Sequence, residues 1–349
     1  MKVRELLRWP VRLAGSNGIV RDRAVRRRRV RTQEQTLALF TGGSHPRLAE
    51  QIARRLGIEL GDVELTTFEN GESYCRYRES IRGADVFLVQ SCSQPVNDHL
   101  VELLLMVEAA RLASAHRVTA VMPWFPYSRQ DRKAAPRKPI SARLLAELLE
   151  AAGADRVVTV DLHAGQIQGF FSVPVDHATA LPLFARYLSG RGLSGKDVVA
   201  VAPDLGRVKL ARRLSRLLDC EVAVVSKDRP RPELAEAGEL IGNVRDKAAL
   251  VGDDMIVTGG TTLAAARTLL DAGATEVVAF ATHAVFARDA LERLLSSELS
   301  EIIVTDTVPL HRDAPNLTVL SVAPLLADTI ESIFANHSVS AIFAGQEVF

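Results

Sequence analysis

Two adjacent carboxylates, Asp253 and Asp254, follow an apolar run from Ala248 to Val251 and stand just before Thr258-Gly259-Gly260-Thr261-Thr262. A helix-like run, LAAARTLLDAG, comes next. The segment therefore reads as strand, loop and helix, with a glycine pair where the loop becomes the helix. Such a turn offers free backbone N–H groups, the positive end of a helix dipole and threonine hydroxyls, which are the parts that hold a phosphate. The acidic pair, read as lying at the strand end beyond Gly252, can bind two neighbouring sugar hydroxyls or a divalent cation. Together they point to a sugar phosphate. The phosphate would sit in the Gly-Thr loop and the ribose diol on the carboxylates.

Other strand ends carry chemistry of the same kind. Asp161-Leu162-His163 follows the run RVVTV and could face a metal–nucleotide complex, although DLH alone is better read as a satisfied loop histidine. Asp204, in Pro203-Asp204-Leu205-Gly206, is a candidate Mg²⁺ ligand, directly or through water. On its own that motif is more often a turn. Phe68-Glu69-Asn70-Gly71-Glu72 has turn chemistry. The polar patch Tyr127 to Lys133 includes Arg129 and Gln130, suited to a base and phosphates or simply to a solvated loop. Lys227-Asp228-Arg229-Pro230-Arg231 opens a polar stretch that could close over phosphates, or be a plain basic loop. No Walker loop, dinucleotide fingerprint or nucleophile elbow is present in the sequence, which speaks against a nicotinamide cofactor or a serine hydrolase.

These residues need a frame to converge. From Leu37 onward, short β-rich runs alternate with amphipathic helical runs. Candidate strands are LALFTG, VELTTF, DVFLVQ, RVTAVMPWF, RVVTVDL, DVVAVAP, VAVVSK, AALVGDD, EVVAFATH and EIIVTDT. Candidate helices between them include HPRLAEQIARRLG, NDHLVELLLMVEAARLAS and ISARLLAELLEAAG. The alternation predicts an α/β fold with largely parallel sheets covered by helices. Ligands in such sheets gather at the carboxyl ends of strands.

The 349 residues suggest about two domains. Net charge is +1, so the whole chain has no bulk preference for nucleic acid or membrane, and no apolar stretch approaches the ~20 residues of a membrane span. Cys75, Cys92 and Cys220 are too dispersed for a metal site and fit a reducing cytoplasm. Residues 1–36 hold eleven Lys or Arg against three acids. That segment is read as a disordered leader or an upstream start, with a nucleic-acid arm or targeting segment as the functional alternative. A start near Val30 would leave the rest intact.

In this order, the pieces resemble the ribose-phosphate pyrophosphokinase family, also called phosphoribosyl pyrophosphate synthetases. The likeness runs from about Leu37 to Phe343 and rests on FENGE, IRGADVFLVQS, YSRQDRK, DLHAGQIQGFFSVPVD, PDLG, KDRPR and DDMIVTGGTT. It implies two phosphoribosyltransferase-type domains, each a largely parallel sheet flanked by helices, with the active site between them and at a subunit contact. Residues 1–36 would be the leader, 37–179 the ATP side and 180–349 the ribose 5-phosphate side, whose last residues could pack back on the first domain.

The resemblance also implies roles. Asp253, Asp254, Val257, Thr258, Gly259, Gly260 and Thr261 would bind ribose 5-phosphate. Phe68, Asn70, Gly71, Glu72, Arg129, Gln130 and His163 would bind ATP, with His163 and Asp204 toward Mg²⁺. Lys227 and Arg229 would be the catalytic cations. The expected protein is a cytoplasmic homo-oligomer, a hexamer built from dimers, with no nucleic-acid or membrane partner. A non-catalytic regulatory homologue and a phosphoribosyltransferase acting on a nucleobase are the alternatives.

Several positions depart from the family pattern. Val257 stands where an aspartate is usual and removes one polar contact, while backbone N–H groups and threonines keep the phosphate cradle. Arg207 replaces a glycine after PDLG, where it could help bind phosphate or crowd the site. Asp228 interrupts the basic loop, Gly165 replaces a polar residue, and Asn70 is a variation within the family.

Overall fold

The computed structural model describes residues 35–226 and 239–339. In the first part of the chain, β1 (Leu37–Thr41), α1 (Pro46–Leu56), β2 (Val63–Thr67), β3 (Ser73–Tyr77) and β4 (Asp85–Val89) come first. Next come α2 (Val96–Leu112), β5 (Arg117–Met122), α3 (Ser141–Ala152), β6 (Arg156–Val160), β7 (Val175–Ala178) and α4 (Leu181–Gly190). β1, β4, β5, β6 and β7 pair side by side in that order, all parallel. β2 and β3 form a separate antiparallel hairpin.

The second part contains β8 (Val198–Ala202), α5 (Val208–Leu218), β9 (Glu221–Ser226), β10 (Glu239–Ile241) and β11 (Ala248–Ile256). It continues with α6 (Gly260–Asp271), β12 (Glu276–Ala284), α7 (Ala290–Leu295), β13 (Glu301–Thr305), β14 (Leu317–Leu320) and α8 (Ala323–Phe334). These strands make one sheet in the order β10-β9-β8-β11-β12-β13-β14. Its pairs are parallel except β10 with β9. This is the α/β class, two largely parallel sheets flanked by helices.

The central strands are mostly apolar because helices cover both faces. β4, β8 and β13 are buried at every position. One continuous core joins the facing sides of the two sheets, running from Leu39, Phe87 and Val158 to Ala200, Leu250 and Phe280. α1, α4, α5 and α8 contribute to it. α1 starts where the His45 ring accepts the Leu48 N–H, with Pro46 at its first turn, and stops at Gly57 in the left-handed region. It buries Leu48, Ala49, Ile52 and Ala53, spaced to share one stripe. α8 packs on α1, and Arg117 of β5 donates to the Ile333 carbonyl near the end of α8. The final helix therefore lies against the first sheet's own helix. Two further cores fill the outer faces, one with α2 and α3, the other with α6.

Three differences from the sequence reading have simple causes. β11 does not end at the acidic pair. It runs on through Asp253 and Asp254 to Ile256, because backbone pairing with β12 carries it past the acidic residues. β3 was not expected, since SYCRY is short and mixed, but β2 supplies its ladder. β7, β10 and β14 are likewise short strands made by their neighbours. Among the described residues no helix is long and apolar enough to cross a membrane.

Gly252 shows how tightly the second sheet is built. A Cβ there would overlap the Phe280 ring, which belongs to the shared core. Gly252→Ala should destabilise the protein by about 1–3 kcal/mol through overpacking. Calorimetry should find a lower thermal midpoint, and an unchanged midpoint would mean the ring is free to move aside.

Candidate active site

The site forms where strand ends of the two sheets face each other. Asp161 leaves β6 with φ at 37°, and its carboxylate accepts the Ala180 N–H at 2.9 Å and the Thr282 hydroxyl at 2.7 Å. Its carbonyl lies 3.1 Å from His283 Nε2. Thr282 and His283 belong to β12 of the second sheet, so the DLH turn is fastened across the seam. The next residue but one, His163, projects to the other acidic motif, with Nδ1 2.8 Å from Asp254 Oδ2.

Asp204 follows β8 and accepts the Gly206 N–H at 2.8 Å, shaping a short 3-10 turn, Leu205–Arg207, ahead of α5. That turn carries Arg207 back over the acidic pair. Its Nε lies 2.6 Å from Asp253 Oδ1, and its Nη2 contacts Asp254 Oδ1 and stands 3.1 Å from His163 Nδ1. Burial pushes the Asp253 carboxyl above the usual carboxylate range, against the pull of Arg207. Burial acts the same way on Asp254, but the His163 hydrogen bond and the Arg207 charge outweigh it and hold Asp254 below the usual range. The pair is thus asymmetric, with Asp254 the firmly ionised member.

Downstream, the phosphate-type loop has the backbone the sequence suggests. Gly259 caps α6 with φ at 71°, in the left-handed region where a side chain is strained. The Leu263 N–H bonds back to its carbonyl. The Val257 carbonyl accepts the Ala287 N–H, anchoring the start of the loop. A cavity of about 180 Å³ is lined by Val257, Thr258, Gly259 and Thr261 together with Arg129, His163, Asp204, Asp253 and Asp254. A second cavity of about 470 Å³ shares Arg207, His163, Asp253 and Asp254 with the first and is lined further by Asp161, Gln166, Lys209, Arg213 and Phe280.

Not every expected residue joins this cluster. Phe68, Asn70, Gly71 and Glu72 form the tip of the β2–β3 hairpin, where the Asn70 side chain accepts the Glu72 N–H at 3.2 Å. Phe68 is 52% exposed and leans on Tyr74. None of the four lines either cavity. Gln130 accepts a hydrogen bond from Ser141 at 2.7 Å instead of entering the cavity beside Arg129. Gly260 opens α6 next to the loop. Lys227 and Arg229 lie outside the described residues. Sequence reasoning missed Thr282, His283, His177 and Arg213. The strand-end rule applied to EVVAFATH would have found the first two.

As to a metal, among the described residues no three His, Cys, Asp or Glu converge as a ready cage. The carboxylates on the smaller cavity suit a hard ion that keeps waters and is held mainly by phosphate oxygens, which needs only one or two protein carboxylates.

Two facing α/β sheets, an acidic pair inside a strand and a glycine-capped phosphate-type loop after it define proteins built from phosphoribosyltransferase-type domains. Residues 37–153 match the family model for the N-terminal domain of ribose phosphate pyrophosphokinase, and residues 202–344 that for the phosphoribosyl synthetase-associated domain. The chain is 47% identical over 307 residues to a ribose-phosphate pyrophosphokinase of Fusobacterium nucleatum, spanning 87% of this chain and 97% of that one. A Nostoc enzyme of the same name is 48% identical over 315 residues, 89% of this chain and 95% of the relative. The crystal structure of phosphoribosylpyrophosphate synthetase from Mycobacterium smegmatis superposes with a TM-score of 0.82 at 44% identity, covering 86% of this chain and all of that one. The chain belongs to the ribose-phosphate pyrophosphokinase family.

The seam makes the site sensitive to acid. His177 Nε2 accepts the Leu162 N–H at 2.7 Å, so the neutral ring holds the DLH turn. Burial pushes His177 from 6.5 down to about 4, opposed by Asp161 and aided by Arg213 and His283. Between those values the unfolded chain binds the proton and the folded chain does not, so stability falls as pH drops through this window. Chemical denaturation from pH 7 to pH 4 should show that loss, with a shallower slope for His177→Gln. Equal slopes would remove His177 as the cause.

Proposed function

We propose that this protein transfers the β,γ-diphosphoryl group of ATP to O1 of ribose 5-phosphate, giving phosphoribosyl pyrophosphate and AMP. The observation that carries the reading is the composite cavity. Arg129 and His163 from one sheet face Asp204, Asp253, Asp254 and the Thr258–Thr261 loop from the other. A nucleotide triphosphate and a sugar phosphate can meet there, which neither half offers alone. The names of the relatives, at 45–48% identity for several, support the same activity.

In this account the loop N–H groups and Thr258 and Thr261 hold the 5-phosphate, and the acidic pair orients the ribose hydroxyls. The anomeric oxygen attacks the β-phosphorus in line. The new O1–Pβ bond forms as the bond from Pβ to the oxygen bridging it to the α-phosphorus breaks, that oxygen leaves with AMP, and the hydroxyl proton is lost. Positioning and charge neutralisation dominate such a transfer, and Arg129 and His163 face the triphosphate side. Mg²⁺, bound with ATP and met by Asp204 and His163, would supply neutralisation of the phosphate charge. Lys227 and Arg229 remain the proposed cations that close on the transferring group. The seam near residue 180 divides an ATP half, 37–179, from a ribose 5-phosphate half, 180–349.

The exposed hairpin tip at Phe68 to Glu72 stands apart from the cavity of its own chain. That supports a homo-oligomer in which a second copy completes the ATP pocket. Work in the cytoplasm fits such substrates.

The test is ³¹P NMR of ATP with Mg²⁺ and phosphate, with and without ribose 5-phosphate. AMP and a new diphosphate ester at the sugar are expected only when the sugar is present. Release of ADP and phosphate, or unchanged ATP from protein that binds it, would contradict the proposal and favour a regulatory homologue.

A further inference from the structure

Arg207 occupies the carboxylates that the sugar needs. Three of the four oxygens of the acidic pair are already engaged within the protein. Asp253 Oδ1 and Asp254 Oδ1 carry the guanidinium, and Asp254 Oδ2 lies 2.8 Å from His163. Asp253 Oδ1 additionally accepts the Asp254 N–H at 2.8 Å. A vicinal diol binds a carboxylate pair by donating two hydrogen bonds, and it must compete there with the guanidinium ion-paired to the same oxygens.

The guanidinium is held on a defined arm. The Arg207 N–H bonds to the Asp204 carbonyl at 3.1 Å, and the Asp204 side chain fixes the turn below it. Its side chain is 18% exposed, against 19% and 7% for Asp253 and Asp254, so the ion pairs form in a largely dehydrated pocket. Buried carboxylates without a partner are costly, and Arg207 removes that cost when no sugar is bound. Both cavities are lined by Arg207, together with His163, Asp253 and Asp254. The larger one offers room into which the guanidinium can swing.

We propose that Arg207 is a displaceable internal counter-ion of the Asp253–Asp254 pair and a specificity-determining residue for the ribose diol. It rests on the assignment of ribose 5-phosphate to this site. Arg207 and the sugar's 2- and 3-hydroxyls compete for the same oxygens. The protein therefore gives up part of the affinity that a full diol would gain over a sugar lacking one hydroxyl. Attraction between Arg207 and the 5-phosphate, by contrast, is common to both sugars and cancels in their ratio.

The experiment is calorimetric titration of ribose 5-phosphate and 2-deoxyribose 5-phosphate into the full chain with Mg²⁺, for the unsubstituted protein, Arg207→Gly and Arg207→Lys. The preference for ribose over deoxyribose 5-phosphate should widen about tenfold in Arg207→Gly, the scale of a hydrogen bond to a charged group. Arg207→Lys, a point charge without the fork, should fall between. A ratio that is unchanged or narrowed in both variants overturns the proposal. AMP formation by the unsubstituted protein separates the two levels. If AMP forms while the ratio does not move, only the role of Arg207 falls. If the unsubstituted protein binds neither sugar, the site assignment and this proposal fall together.

Discussion

The Asp161 carboxylate is the tie on which the rest depends. A single residue at the end of β6 receives hydrogen bonds from Ala180 and from Thr282, and its carbonyl meets His283. Two sheets that share one apolar core are thereby held with their strand ends opposed. His163 follows two residues later and reaches Asp254 on the far sheet. Because Asp161 and His163 share one turn, the tie that holds the sheets also aims the imidazole. The common core beneath, with Phe184 against Phe280, keeps this polar seam from shearing.

Charge balance shapes the same site. Two adjacent carboxylates inside a strand would repel each other and pay heavily for burial. Arg207 and His163 answer that cost from two different elements, one on the turn before α5 and one on the turn after β6. The result is a strongly polarised pocket, with Arg129 and Arg207 set among Asp204, Asp253 and Asp254. In the proposed assignment, polyanionic substrates would exchange one set of ion pairs for another, which suits a reaction whose cost is chiefly electrostatic.

Much of this was legible in the chain itself. The α/β alternation foretold both sheets, since buried parallel strands must be mostly apolar, as β8 is throughout and β4 is after Asp85. Gly259 and its neighbours could be placed because Thr-Gly-Gly-Thr stands before a helix-like run and just after an apolar strand that carries the acidic pair. Other features depend on partners distant in sequence. β11 passes through Asp253 and Asp254 only because β12 pairs with it, Asp253 opposite Ala281 and Met255 opposite His283. Arg207 was visible as a departure, but its reach to both aspartates depends on the turn that Asp204 builds. The tip at Phe68 could be named as a turn but not located, because a hairpin's position is set by what it packs against.

His163 and Asp254 meet across the seam and are proposed to act as one unit. A double-mutant cycle on kcat/KM for AMP formation tests this directly, using His163→Ala, Asp254→Asn and the double variant. Coupling predicts that the double variant is little worse than the worse single variant, because either change already breaks the shared contact. Losses that simply multiply would show that the two residues work independently and that the seam does not link the two halves of the site.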